Sequence, residues 1–165
     1  MAALVHVAVG FAAKPLSRKV PVWVLIIAAE ALDIFAILFG LIGIEKLGNN
    51  PWTHGLVMSL AWSIGCAVLS VLTFRNYRIG MLLGALVFSH WAIDFITHPM
   101  GAVFGGHPTE PDLPLLFAGS RNVGLGLYNY SAITAYIVEY GTIAMGIGVY
   151  VFYTLRQRRK AKAEV

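Results

Sequence analysis

Residues 79–98 read IGMLLGALVFSHWAIDFITH, a stretch in which apolar and small residues surround two imidazoles and one carboxylate. About 20 predominantly apolar residues are enough for a helix to cross the hydrocarbon core of a bilayer. The stretch therefore predicts a transmembrane helix, and it places ionisable side chains where lipid is the expected neighbour. Apolar segments of this kind, with ionisable residues among them, also occur in the rest of the chain.

The composition is that of an integral membrane protein. Hydrophobic residues make up 58% of the 165 positions, charged residues make up 12%, and the mean hydropathy is +0.74. A soluble domain carries roughly 25% charged residues. The chain is too short for two membrane domains, so we predict one all-α, polytopic transmembrane bundle over residues 1–165.

Five apolar segments are candidate helices of this bundle. The first precedes Lys14, and a signal peptide would carry its positive charge before the apolar region. We therefore predict a short, retained helix that crosses or enters the bilayer. An outer loop over residues 99–130 and a basic tail over residues 156–165 complete the chain. The predicted spans are residues 2–13, 20–44, 54–74, 79–98 and 131–155.

Basic residues predict the orientation of the bundle. If every span crosses, only Lys46 and Arg121 lie on one side, and the other Lys and Arg residues share the opposite side. The positive-inside rule makes that richer side cytoplasmic, with the N-terminus outside and the C-terminus inside the cytoplasmic (inner) membrane. The net charge of +4 is then mainly a topology signal. We predict no nucleic-acid partner, although the basic tail could attract nucleic acid or anionic lipid.

Ionisable residues converge in one half of the predicted bundle. Side chains four residues apart share a helical face, so His90 and Asp94 lie on one stripe, and His98 lies a turn further along it. At 1.5 Å per residue, titratable residues of all five helices fall in the outer leaflet half. Such groups are costly in a membrane and are functional candidates. They are His6, Asp33, His54, His90, Asp94, His98 and Glu139.

Imidazole nitrogen and carboxylate oxygen are ligands for divalent metals. Cys66 is the sole cysteine, so a thiolate site is excluded, and the donors suit Zn²⁺ best, with Mn²⁺ or Fe²⁺ as alternatives. His90 and Asp94 can bind one ion from a single helix. His98 lies about 12 Å from His90 along the axis, so it would serve a second ion or act as an acid, base or supporting group. A structural ion pair is the alternative for His90 and Asp94.

Two stripes of small residues predict close helix packing. Gly80 and Gly84 form a G-x-x-x-G motif, and Gly141, Ala144 and Gly148 recur at helical spacing. Small residues let membrane helices approach closely. These faces could also join copies of the chain in a homo-oligomer.

Short motifs recur along the chain: an early His6, Ala-Leu-Asp33, Thr53-His54, His90 with Asp94, Pro-Asp112-Leu-Pro, Gly-Leu-Gly-Leu-Tyr-Asn129 and Val-Glu139. This set resembles the LexA-regulated, membrane-bound metal-dependent hydrolases, a family of small bacterial and archaeal membrane proteins. The chain departs from the family by having Glu-Ala-Leu-Asp where many members have Leu-Pro-Asp-x-Asp. It also lacks the Arg that often precedes Thr-His. The resemblance implies a metal-dependent hydrolase.

Three functions are consistent with this sequence. The first is a membrane hydrolase that uses a metal-activated water on a lipid or another amphiphile. The second is a proton- or cation-coupled transporter or channel, and the third is a non-catalytic accessory subunit. For the hydrolase, the predicted metal ligands are His6, Asp33, His54, His90 and Asp94. The predicted catalytic groups are Asp33, His98 and Glu139.

Overall fold

A computed structural model describes residues 3–45, 51–97, 115–116, 120, 123–129 and 131–163. Within these ranges the regular structure is entirely helical, which confirms the predicted all-α class. Short 3-10 turns occupy Lys14–Leu16 and Leu127–Asn129. The α-helices are α1 (Ala3–Ala12), α2 (Val22–Ala29), α3 (Ala31–Leu41), α4 (Leu56–Phe74), α5 (Tyr77–Thr97) and α6 (Ala132–Ala163).

Three to four of these units are candidate membrane spans. Helices α4, α5 and α6 are each long and apolar enough to cross a bilayer, and α2 with α3 forms a fourth, broken span. Helix α1 has 10 residues. At about 15 Å it covers only half of a roughly 30 Å hydrocarbon core. The first predicted segment is therefore a short apolar helix beside the longer ones.

The segment predicted as one span over residues 20–44 contains a break at Glu30. Helices α2 and α3 meet there at an angle of 59°. Carbonyl groups at the end of a helix need a partner outside the helix, above all in lipid. The carbonyl oxygen of Ala29, the last residue of α2, lies 2.8 Å from Nδ1 of His90 on α5. The break is therefore bonded directly to a candidate site residue.

Helix α5 is the centre of the bundle. Half of its most apolar stretch is buried, compared with 11% for α4 and 17% for α6. It packs against α4, α2 and α1, while α6 packs mainly against α1. Exposed apolar side chains on α4 and α6, such as Leu69, Leu72 and Phe152, are in place to contact lipid. Membrane helices associate chiefly through close packing, because lipid tails are as apolar as leucine.

The small-residue stripe on α5 packs inside the chain. A Cβ atom on Gly84 would lie 2.8 Å from the Cβ of Ala67 and 2.9 Å from the carbonyl oxygen of Ser63. The Ser63 hydroxyl donates to the carbonyl oxygen of Gly84 at 2.6 Å. Gly80 makes an equally close approach to α4. These two glycines therefore let α4 and α5 touch.

The stripe on α6 is different. A Cβ atom on Gly141 or Gly148 would meet nothing within 4 Å among the described residues, so that face has room for another surface. The helix also continues to Ala163. Most of the predicted basic tail is thus the last part of a 32-residue helix.

Gly146 joins α6 to α1 and yields a stability prediction. A Cβ atom there would lie 2.9 Å from Cα of Ala8 and even closer to its carbonyl oxygen. Because backbone cannot move as a flexible side chain does, we expect Gly146→Ala to destabilise the protein by about 1–3 kcal/mol. Thermal unfolding in detergent measures this. Gly148→Ala is the matched control, with an expected effect between neutral and about 1 kcal/mol stabilising. Equal unfolding temperatures for the two variants would contradict the packing argument.

Candidate metal centre

Five of the predicted site residues meet between four parts of the chain. His6 comes from α1, Asp33 from the first turn of α3, and His54 from the turn before α4. His90 and Asp94 come from the buried face of α5. Their donor atoms form two overlapping groups, and within each group all atoms lie within 4.8 Å of one another. His90 belongs to both groups.

Four donor atoms form a closed ring in which nitrogen and oxygen alternate. Nε2 of His54 lies 3.2 Å from Oδ1 of Asp33 and 3.7 Å from Oδ2 of Asp94. Nε2 of His90 lies 3.5 Å and 3.4 Å from the same two oxygens. Each carboxylate therefore faces both imidazoles through a single oxygen atom.

His6 approaches the ring through the other oxygen of Asp94. Its Nε2 atom lies 3.1 Å from Oδ1 of Asp94. Its imidazole stacks on that of His90, with ring centroids 3.6 Å apart and planes 10° apart. Asp94 thus connects His6 to the four-atom ring. His6 is placed either to orient Asp94 or to bind an ion with His90 and Asp94.

The backbone at the α2–α3 break selects the tautomer of His90. A backbone carbonyl can only accept, so the Nδ1–H of His90 donates to the oxygen of Ala29 at 2.8 Å. In the neutral ring, Nε2 then carries the lone pair. This buried Nε2 atom has no hydrogen-bond partner among the described residues, although two carboxylate oxygens are near. A histidine that binds a metal ion through Nε2 needs its lone pair on Nε2 and its other ring nitrogen held by a hydrogen bond.

His54 is oriented by a chain of hydrogen bonds that sequence reasoning missed. The Thr53 hydroxyl donates to Oε2 of Glu45 at 3.0 Å, because an ionised carboxylate only accepts. The same hydroxyl oxygen therefore accepts from Nδ1–H of His54 at 2.8 Å. This assignment leaves the lone pair of His54 on Nε2, which faces Asp33 and Asp94. Glu45 is buried, and it also accepts from the backbone N–H groups of Trp52 and Thr53.

The donor set fits a divalent metal ion. Zn²⁺ binds imidazole nitrogen and carboxylate oxygen at about 2.0–2.2 Å, so two adjacent ligand atoms on one ion lie about 3.3 Å apart. Asp33 and Asp94 belong to different donor groups, so this comparison applies to the nitrogen–oxygen pairs. The four edges of the ring are 3.2, 3.7, 3.4 and 3.5 Å. In its neutral form, with Nδ1–H donating, each imidazole has its lone pair on Nε2. The two carboxylates can supply the negative charges that balance a divalent cation. Buried His/Asp groups in this protein could therefore hold a metal ion.

Exposure differs sharply across the cluster. The side chain of Asp33 is 43% exposed, while those of His90 and Asp94 are at most 3% exposed. The cluster is therefore open at Asp33 and closed at α5. The neighbours of Asp33 on α3 include the exposed apolar residues Ile34 and Ile37. A molecule that reaches the cluster at Asp33 would pass apolar surface.

Glu139, a predicted catalytic residue, is buried on α6 with a different partner. The Tyr128 hydroxyl donates to its Oε1 atom at 2.7 Å. Burial, together with this bond to a carboxylate, raises the pKa of Tyr128. Glu139 belongs to neither group of metal donors, so its catalytic role stays a prediction. The other predicted catalytic residue, His98, lies outside the described residues.

Glu30 is a further acidic group next to the cluster. It occupies the break between α2 and α3, and its Oε1 atom is buried without a hydrogen-bond partner among the described residues. It lies within electrostatic range of His90, Asp33, Asp94 and Glu139. In a continuous helix over residues 20–44, Glu30 and Asp33 would share a face, because they are three residues apart. The break that brings the Glu30 backbone next to the site had no signal in the helical pattern of the sequence.

Comparisons with protein-family models, with curated proteins and with solved structures gave no match for this chain. The resemblance to the metal-dependent hydrolase family therefore stays a prediction.

Proposed function

We propose that this chain is an integral membrane hydrolase that depends on a divalent metal and acts on a lipid or another amphiphile. The observation that carries the proposal is the closed ring of Asp33, His54, His90 and Asp94 donor atoms, with edges of 3.2 to 3.7 Å. A buried ion pair needs only one imidazole and one carboxylate. This cluster has two imidazoles and two carboxylates, and a hydrogen bond at Nδ1 orients each imidazole. Such a set favours a bound cation.

The proposed ligands are the four ring residues, with Zn²⁺ favoured over Mn²⁺ and Fe²⁺. A bound divalent cation supplies Lewis acidity and makes water a stronger nucleophile at neutral pH. Asp33 is the most exposed member, so it is also placed to accept a proton from a water molecule at the open side. His6 holds the second oxygen of Asp94 and keeps that carboxylate in position.

The proposed setting is the outer half of the cytoplasmic membrane. All five predicted helices would enter the bilayer, with α1 as the short outer one and α2–α3 as a bent span. The basic residues near Lys14, at the α4–α5 turn and at the end of α6 would then face the cytoplasm. A cluster at this depth is reached most directly from the bilayer. The exposed apolar residues beside Asp33 support an amphiphilic substrate.

Hydrolysis can be tested with fluorogenic lipid esters and lipid phosphoesters in mixed micelles. We expect turnover of at least one class, loss of that turnover with a chelator, and recovery when Zn²⁺ or Mn²⁺ is added back. Asp33→Asn should reduce turnover by at least about 100-fold, the lower end of the range for a proton-transfer group. Ser70→Ala is the control, because Ser70 lies buried near the other end of α4. Turnover that a chelator leaves intact would contradict the proposal.

A second candidate function, ion-coupled transport, is supported by the broken α2–α3 span. Helices broken within the membrane are typical of transporters, whose ion sites use the freed backbone groups. The break at Glu30 lies beside the cluster. Proton or cation flux into proteoliposomes tests this function. Flux that disappears in Asp94→Asn would favour transport, and metal-dependent hydrolysis without flux would favour the hydrolase.

A further inference from the structure

A second polar feature lies at the other end of the bundle. A cleft with a volume of about 250 Å³ lies between the segment after α1 and the start of α5. Three cationic side chains line it, those of Arg18, Lys19 and Arg78. Because Arg78 precedes His90 by 12 residues on α5, the cleft is about 18 Å from the metal centre along the helix axis. The cleft is therefore a separate site.

The three cations of the cleft are available to a ligand. Every ion pair found among the described residues joins a histidine to Asp33 or Asp94, and none involves the cleft. The guanidinium group of Arg78 contacts the neighbouring Tyr77, through its Nε atom and over the tyrosine ring. A group of cations without a protein counter-charge favours an external anion.

The segment that carries two of these cations is held in place. The Lys14 ammonium group donates to the carbonyl oxygens of Arg18 at 3.1 Å and Val20 at 2.6 Å. This lysine therefore acts as a brace inside the segment. The fixed backbone keeps Arg18 and Lys19 beside the cleft.

The opposite wall also offers a hydrogen-bond donor. Oδ1 of Asn76 accepts from the backbone N–H groups of Arg78 and Ile79, so these amides at the start of α5 already have a partner. With Oδ1 so placed, the Nδ2 hydrogens of Asn76 are the part of this side chain that can donate to a ligand. Arginine with amide donors is a combination that recognises phosphate oxygens.

The surroundings indicate the source of the phosphate. Leu16, which lines the cleft, is 74% exposed, and Tyr77, which lies in the chain between the lining residues Asn76 and Arg78, is 65% exposed. Apolar surface next to cations is typical of a membrane interface, where an acyl chain and a headgroup meet. The cleft is also smaller than the roughly 300–1,000 Å³ of pockets that enclose a whole ligand. Its size therefore suits a headgroup whose tails remain in lipid.

We propose that this cleft binds the phosphate of an anionic phospholipid headgroup. Arg18, Lys19 and Arg78 supply the charge, Asn76 donates a hydrogen bond, and Leu16 contacts the first part of an acyl chain. The site does not depend on the metal centre or on hydrolysis.

Binding of phosphatidylglycerol to the full chain in phosphatidylcholine nanodiscs tests the proposal, with native mass spectrometry as the readout. We expect Arg18→Gln/Lys19→Gln/Arg78→Gln to weaken binding at least about 10-fold, since each cation at an anionic surface contributes. The matched control is Arg158→Gln/Arg159→Gln/Lys160→Gln, which removes the same charge from the exposed end of α6. That control should retain most of the binding. Equal losses in the two triple variants would overturn the proposal, because net charge alone would then explain the binding.

Two further arms complete the test. Arg18→Gln/Lys19→Gln changes only the exposed segment before α2, so it should fold normally and still bind several-fold more weakly. Unchanged binding in this variant would overturn the proposal. Inorganic phosphate should compete only weakly with the lipid. Competition at similar concentrations would overturn the assignment to a lipid headgroup and indicate free phosphate as the ligand.

Discussion

The Asp94→Asn variant is expected to bind a divalent metal at least about 100-fold more weakly than the wild-type chain. Replacing groups that only support a ligand already costs 10–100-fold in metal affinity, so loss of a ligand should reach or exceed that range. Asp94 also uses both oxygens. Oδ2 faces His54 and His90, and Oδ1 faces His6. An amide of the same shape lacks the charge and presents N–H hydrogens to one side of the cluster.

Elemental analysis of protein purified at neutral pH without chelator measures this effect. The wild-type chain should contain about one equivalent of metal, and titration with a fluorescent Zn²⁺ competitor then compares the affinities. His90→Ala should behave like Asp94→Asn. Ser89→Ala, on the same helix but bonded only to the carbonyl oxygen of Leu86 in the described structure, should keep its metal. Wild-type protein without stoichiometric metal would refute the metal centre.

Thr53→Val is expected to weaken metal binding by about 10–100-fold although Thr53 touches no metal. The hydroxyl of Thr53 accepts from Nδ1–H of His54 and donates to Glu45. Without it, the ring of His54 loses the partner that keeps the lone pair on Nε2. Valine has nearly the same shape, so packing changes little. Thr53→Ser retains the hydroxyl and should restore near wild-type affinity.

The same titration provides the measurement, with thermal unfolding as a check on folding. Glu45→Gln should also weaken metal binding, because a neutral amide accepts the Thr53 hydrogen more weakly than a carboxylate does. An affinity for Thr53→Val equal to that of the wild-type chain would show that the hydrogen-bond chain does not act on His54. The metal centre would survive that result, whereas the orienting role of Thr53 would not.

The break in the α2–α3 span connects the fold to the site. The sequence predicts one continuous helix over residues 20–44, because nearly all of these residues are apolar. In the structure His90 donates to the carbonyl oxygen of Ala29 at the end of α2, and Asp33 lies in the first turn of α3. The bend therefore carries Asp33 to His54 and His90. One hydrogen bond both caps a helix inside the bundle and orients a candidate metal ligand.

The amino-acid sequence alone determined the membrane class, the helical composition and the local part of the site. His90 and Asp94 share a face because an α-helix has 3.6 residues per turn, and their donor atoms lie 3.4 Å apart. The same local rule identified Gly80 and Gly84 as a packing face. These features depend on covalent geometry and on neighbours within one or two turns.

Only the tertiary structure decided which helices supply the remaining donors. His6 lies 88 positions before Asp94 in the chain, and Glu45 reaches His54 through Thr53. Glu139 accepts a hydrogen bond from Tyr128 and belongs to neither group of metal donors. Such contacts depend on how far each helix is rotated and shifted against its neighbours. Close approaches at Gly84 and Gly146 set those positions, and no periodic pattern within a single helix contains that information.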